Sequence, residues 1–151
     1  MEYRILLLVR IMSLLNKIKV VNFNKVTDAR GNLTAIESGR DISFEIKRVY
    51  YIYDVPGGES RGAHAHKALE QVLVAISGSF TVNVDDGKEK KSFELNRAYY
   101  GLYIPGMIWS NMDNFSTGAI CLVLASDYYQ ESDYIRNYDE FIMECGKNES
   151  R

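Results

Sequence analysis

The sequence predicts an all-β domain, a sandwich or barrel, with a short helical segment near its C-terminus. Three observations carry that expectation. β-branched and aromatic residues cluster in short runs. Turn signals separate the runs at roughly 8–12-residue intervals, the spacing of sandwiches and barrels. No long amphipathic crossover is present of the kind a parallel α/β sheet needs.

The elements follow in order. The stretch Met1 to Leu15 is apolar, but Arg10 interrupts it, and no small-residue cleavage site precedes Asn16-Lys17. It is shorter than the ~20 apolar residues that span a bilayer. Residues 1–15 are therefore expected to be an N-terminal extension, with Met12 a candidate natural start. Residues 16–146 are expected to form one domain, and 147–151 a polar, frayed tail. Within the domain, Lys19 to Phe23 reads as a strand, and Asn32 to Glu37 follows Gly31 as another. Arg48 to Tyr53 is β-rich, as is Val72 to Ile76. Ser77-Gly78 turns into Phe80 to Val84, and Asp85-Asp86-Gly87 is a hairpin signal leading to Lys91–Leu95. Tyr99 to Ile104 and Ala119 to Ala125 complete the strands. Ser132 to Met143 has helical or mixed character.

Composition bounds the function. A chain of 151 residues is one domain by length, and 46% hydrophobic with 25% charged residues is ordinary for a globular protein. With 18 basic and 20 acidic residues there is no basic excess to bind a phosphate backbone, so neither nucleic acid nor membrane is an expected partner. Cys121 and Cys145 cannot build a disulfide framework, which favours a reducing, cytoplasmic setting. Tyrosine is abundant at 11 residues, whereas the only two histidines lie in one tripeptide, His64-Ala65-His66.

Alternation along a strand puts His64 and His66 on one face, with Gly62 beside them and Arg61 at the mouth. Such a pair presents two imidazoles to a barrel interior, where each is poised for proton transfer near neutral pH. The competing reading is two hydrogen-bonded or surface histidines. The surroundings decide for a site. Gly58 precedes the pair, Gln71 follows it, and Gly78 comes next. This resembles the first motif of the cupins, a glycine, a His-x-His pair, a glutamate and a second glycine. Pro105 with Ser110 and Asn114 partly matches the second motif. The departures matter more. Metal-binding cupins use three histidines and a glutamate; here the third position is Gln71 if the longer of the motif's two spacings is taken, and the fourth is Ser110. Glu70 is adjacent but should face the other way on the strand. Two imidazoles, an amide and a hydroxyl are a poor donor set for a divalent transition metal. The histidines are therefore expected to act as acid–base groups, with no metal.

Further blocks narrow the resemblance: Lys47 to Tyr53, Arg61 to Lys67, Asp85 to Gly87, Gly101 to Pro105, Leu122 to Tyr129 and Asp133 to Tyr138. Together they resemble the dTDP-4-keto-6-deoxyglucose 3,4-ketoisomerases, metal-free cupins of deoxysugar biosynthesis, over about Val20 to Phe141. The resemblance implies a cupin-type double-stranded β-helix, or jelly roll, with no cofactor. It implies a dTDP-linked keto sugar as substrate, and a homodimer with exchanged N-terminal strands. By the same resemblance His64 is the expected base, His66 the second imidazole that orients the sugar or relays a proton, and Tyr50 a hydroxyl donor to the sugar oxygen. Arg48 and Arg61 are the expected diphosphate partners, since guanidinium forks match phosphate oxygens. Arg30, Ser110 and Gln71 are expected at the sugar, and Arg30 favours a galacto-configured 3-keto product. Two other classes stay open on the residues alone: a metal-dependent cupin enzyme, and a cupin that only binds a sugar nucleotide.

Overall fold

The computed structural model describes residues 13–150. The expected start at Met12 and the extension ahead of it lie outside the described residues. Ser13 caps a 3-10 turn over Leu14–Lys17, its hydroxyl accepting from the Leu15 amide. Leu15 is buried in the main core and Leu14 packs against it, so the last residues of that apolar segment belong to the packing of the domain.

The strands are β1 (Lys19–Asn22), β2 (Lys25–Asp28), β3 (Gly31–Thr34), β4 (Arg48–Ile52), β5 (Arg61–His66), β6 (Gln71–Ser77), β7 (Phe80–Asp85), β8 (Lys90–Leu95), β9 (Tyr100–Ile104), β10 (Trp109–Asp113), β11 (Ile120–Ala125) and β12 (Tyr134–Ile135); helix α1 spans Tyr138–Glu149. One sheet has the order β1-β9-β6-β11-β4 and the other β12-β5-β10-β7-β8. From β4 onward the chain crosses between the two sheets at nearly every connection, which makes the cupin jelly roll. The β7–β8 hairpin is the exception. There Asp86 Oδ1 accepts from the Lys88 and Glu89 amides around Gly87, whose φ is +91°.

Burial explains the sequence pattern. Leu73, Phe80, Val82, Val84, Leu102, Ile104 and Val123 fill the space between the sheets. The outer face of the first sheet is also covered, because Phe23, Ile42 and Phe44 pack on Val72, Val74 and Leu124. A strand buried on both sides loses alternation, which is why β6 reads as a continuous apolar run. On the second sheet, Ala65 is sealed by Ile135 and by Phe141 of α1.

The expected strands are present with ends moved by a residue or two, except that Asn32–Glu37 shortens to β3 and residues 35–37 leave the ladder. β2, β10 and β12 were not anticipated as strands: β2 is exposed throughout, β10 is mostly polar, and β12 has two residues. The expected tail is corrected in part. Asn137 caps α1 by accepting from the Glu140 amide, and the helix continues through Lys147 to Glu149. Lys147 pairs with Glu144 and Glu149 with Lys88.

Candidate active site

One open end of the roll forms a cleft of about 840 Å³, within the usual size of a ligand site. Arg48, Tyr50 and Ile52 of β4 line it, with Arg61, Gly62 and His64 of β5, Met112 of β10, and Tyr129, Tyr134 and Arg136 from the segment flanking β12. The half-buried face of β4 thus supplies three lining residues at alternate positions, while Val49 is turned out to solvent.

His64 is aimed by a bulge. Asn111 pairs with Gly62 and Ser110 with His64, so Ala63 is the extra residue on β5. Gly62 and Ala63 both have positive φ, +93° and +60°. The first suits glycine; the second is strain at a non-glycine residue beside the site. The simple alternation expected from Gly62 to His66 is therefore corrected: it holds only from His64 onward. A side chain at Gly62 would also press on the Ser110 carbonyl at 3.1 Å. Ser110, opposite His64, is buried on the interior face that it shares with Met112.

The two imidazoles lie edge to face with centroids 5.0 Å apart, and Tyr134 touches both at 5.0 and 4.4 Å. His64 lines the cleft; His66 is buried behind it, 3% exposed. Burial lowers the pKa of His64 from 6.5, against a hydrogen bond at Gly62 that raises it. His66 is pushed down to about 4, first by burial and then by the neighbouring His64, and the Asp133 carboxylate opposes this only in part. Both shifts favour the neutral ring, and in that state the 3.1 Å contact of His66 with Asp133 is a hydrogen bond.

The Tyr50 hydroxyl reaches Gln71 Oε1 at 3.5 Å. Burial, with Tyr134 adding to it, pushes the phenol up to about 12 despite the Arg48 charge, so it stays a donor at neutral pH. Arg48 stacks over Tyr50 at 5.2 Å and Tyr129 at 5.5 Å. Its Nε and Nη2 are buried without a hydrogen-bond partner among the described residues. Guanidinium nitrogens buried in that state are costly unless an anion joins them.

At the rim, Arg136 forks onto Glu131 at 2.6 and 2.9 Å and lies over the Tyr134 ring. The Tyr129 hydroxyl also donates to Glu131. Sequence reasoning assigned no role to Glu131, Asp133, Tyr134 or Arg136, although the block Asp133–Tyr138 was noted. Arg30 is not brought to this cleft by its own chain: it sits on the β2–β3 hairpin, almost fully exposed, paired with Asp28 at 2.6 Å. Glu70 faces away from Gln71 as expected and accepts from the Tyr103 hydroxyl at 2.5 Å.

A metal does not fit this donor set. The positions around the pair hold Gln71 and Ser110, and His66 Nδ1 is engaged by Asp133. Among the described residues no group of three His, Cys, Asp or Glu side chains has the geometry to hold a metal ion.

This arrangement has known counterparts. The family model described as FdtA, WxcM-like, C-terminal, matches residues 16–146. The chain belongs to this family of sugar-nucleotide 3,4-ketoisomerases. The TDP-4-oxo-6-deoxy-alpha-D-glucose-3,4-oxoisomerase of Aneurinibacillus thermoaerophilus is 53% identical over 123 residues, 82% of this chain and 88% of that protein. Among solved ketoisomerases, WlaRB from Campylobacter jejuni, a TDP-quinovose 3,4-ketoisomerase, is 52% identical, with a TM-score of 0.80 over 83% of this chain and 97% of its own. A histidine-to-asparagine mutant of QdtA from Thermoanaerobacterium thermosaccharolyticum, solved with TDP-4-keto-6-deoxyglucose, is 45% identical, with a TM-score of 0.85 over 86% and 94%. The cupin jelly roll and an isomerase activity follow from membership of the ketoisomerase family.

Proposed function

We propose that the chain converts TDP-4-keto-6-deoxyglucose to the 3-keto isomer by proton transfer alone. The observation that carries this reading is a pair of imidazoles in edge-to-face contact beside a cleft whose Arg48 has Nε and Nη2 buried without a partner among the described residues. The C3 proton is acidic because it lies next to the C4 ketone. His64 takes it, O4 gains a proton, and an enediol forms. Loss of the O3 proton and delivery of a proton to C4 leave the ketone at C3. Atoms and electrons balance with no oxidant, so a base and a relay are sufficient. Tyr50, held protonated, donates to the sugar oxygen where charge builds. His66 serves as the relay. Arg48, with Arg61 at the mouth, holds the diphosphate. Gln71 holds Tyr50, and Ser110 flanks His64.

The dimer belongs to the same reading. The β2–β3 hairpin stands alone as a two-stranded sheet, with Val26 and Leu33 more than half exposed. An isolated hairpin is marginal in water, and β4 is an open sheet edge. Both features support a homodimer with exchanged N-terminal elements. Arg30, at the hairpin, then bears on the sugar only from a second copy, and the galacto product we favour depends on that placement. We place the enzyme in the cytoplasm, on the strength of its two free cysteines. Among the described residues no helix is long and apolar enough to cross a membrane. NMR of the product from TDP-4-keto-6-deoxyglucose tests the reading; recovery of unchanged 4-keto sugar overturns it, and the C4 configuration of a 3-keto product tests the galacto assignment.

A further inference from the structure

Asp133 is far from the histidines in sequence, yet its carboxylate closes on His66. Oδ2 lies 3.1 Å from His66 Nδ1. The carboxylate is itself pinned: Oδ1 accepts from the Ala68 amide at 2.9 Å and Oδ2 from the Leu69 amide at 3.3 Å. The Asp133 carbonyl accepts from the Lys67 amide at 2.8 Å, which fastens the segment to the end of β5. A carboxylate offers only acceptors, so His66 Nδ1 must be the donor. A neutral imidazole carrying its proton on Nδ1 has a bare lone pair on Nε2. His66 Nε2 is buried and has no hydrogen-bond partner among the described residues. Two of its neighbours, His64 and Tyr134, are groups that exchange or donate protons.

We propose that Asp133 is a positioning residue of the isomerase, holding His66 in the Nδ1–H tautomer so that Nε2 is its proton-accepting nitrogen. A simple anchor of this segment on β5 would leave the chemical step untouched when the tautomer changes. The inference rests on the reading of His66 as a proton relay, but its first test does not need the sugar. The chain has only two histidines, so ¹⁵N-histidine labelling gives two rings to assign, and two-bond ¹H–¹⁵N spectra read each tautomer directly in the free protein.

The expected result is Nδ1–H at His66 in the wild type. In Asp133→Asn the side-chain oxygen still accepts from the Ala68 amide, and the amide nitrogen faces His66 as a donor. His66 then switches to Nε2–H. kcat should fall on the order of 10²-fold or more while KM stays within about 3-fold, because positioning of a proton relay acts on the chemical step. Asp133→Glu keeps a carboxylate and should restore the Nδ1–H tautomer and part of kcat. An Nε2–H ring in the wild type, an unchanged tautomer in Asp133→Asn, or a switched tautomer with full kcat each overturns the proposal. If Asp133→Asn does not fold, the wild-type spectrum and Asp133→Glu decide. A wild type that isomerises no sugar overturns the proposed reaction and leaves the tautomer result standing.

Discussion

His64 and His66 lie edge to face at 5.0 Å, but only His64 lines the cleft, while His66 is sealed behind it against Asp133. Two residues of one type, two positions apart, are thereby given different surroundings. The bulge at Ala63 turns His64 toward the open end, and β12 closes over His66.

The neutral state of the pair sets a pH dependence. His64 must be unprotonated to take a proton from carbon, and burial lowers its pKa from 6.5. The acid limb of kcat/KM should therefore have its midpoint below 6.5. Stability should follow His66, whose folded pKa of about 4 lies below the ordinary 6.5. Between those values the unfolded chain binds the proton and the folded chain does not. The stability is thus complete above about 6.5 and is lost as pH falls toward 4. Urea titrations at pH 7 and 4.5 check the sign; equal stability at both would contradict it.

Arg48 carries a guanidinium whose Nε and Nη2 have no partner among the described residues. In Arg48→Met the free protein loses a charge with two buried, unpartnered nitrogens, and a bound diphosphate would lose its anchor. TDP affinity measured by calorimetry should fall about 10- to 100-fold, with the thermal midpoint unchanged or raised. Unchanged TDP affinity would place the diphosphate elsewhere.

Gly62 has φ +93° and lies against the Ser110 carbonyl. Gly62→Ala should cost about 1–2 kcal/mol of stability from the left-handed backbone alone. It should also lower kcat, because the shifted bulge re-aims His64. Full activity in a destabilised variant would make the bulge purely architectural.

Leu33 is exposed on the hairpin. If the hairpin docks on a second copy, Leu33→Glu places a charge in that contact and should turn a dimer into a monomer in sedimentation velocity. A wild-type protein that sediments as a monomer would contradict the dimer.

Much of the fold was legible because burial left a periodicity: β7 alternates, and β6, covered on both faces, reads as an apolar run. The histidine pair was legible from strand alternation. Its aim was not, since the positive φ of Ala63 leaves no mark in side-chain type. Asp133 escaped because its partner is 67 residues away and the strand just after it, which docks it on β5, has only two residues. Arg30 shows the opposite limit: its segment resembles a sugar-facing one, yet among the described residues its guanidinium pairs with Asp28, on its own hairpin.

The most direct test of proton transfer at His64 is isomerisation of TDP-4-keto-6-deoxyglucose in heavy water, read by proton NMR, with wild type and His64→Asn side by side. The wild type should give a 3-keto product carrying solvent deuterium at C4, and should wash deuterium into C3 of recovered substrate. His64→Asn should give neither, while binding TDP within about 3-fold of the wild type, since the imidazole acts on the chemical step and not on the nucleotide. A His64→Asn protein that still exchanges and isomerises, or a wild type that incorporates no deuterium at either carbon, would contradict the account.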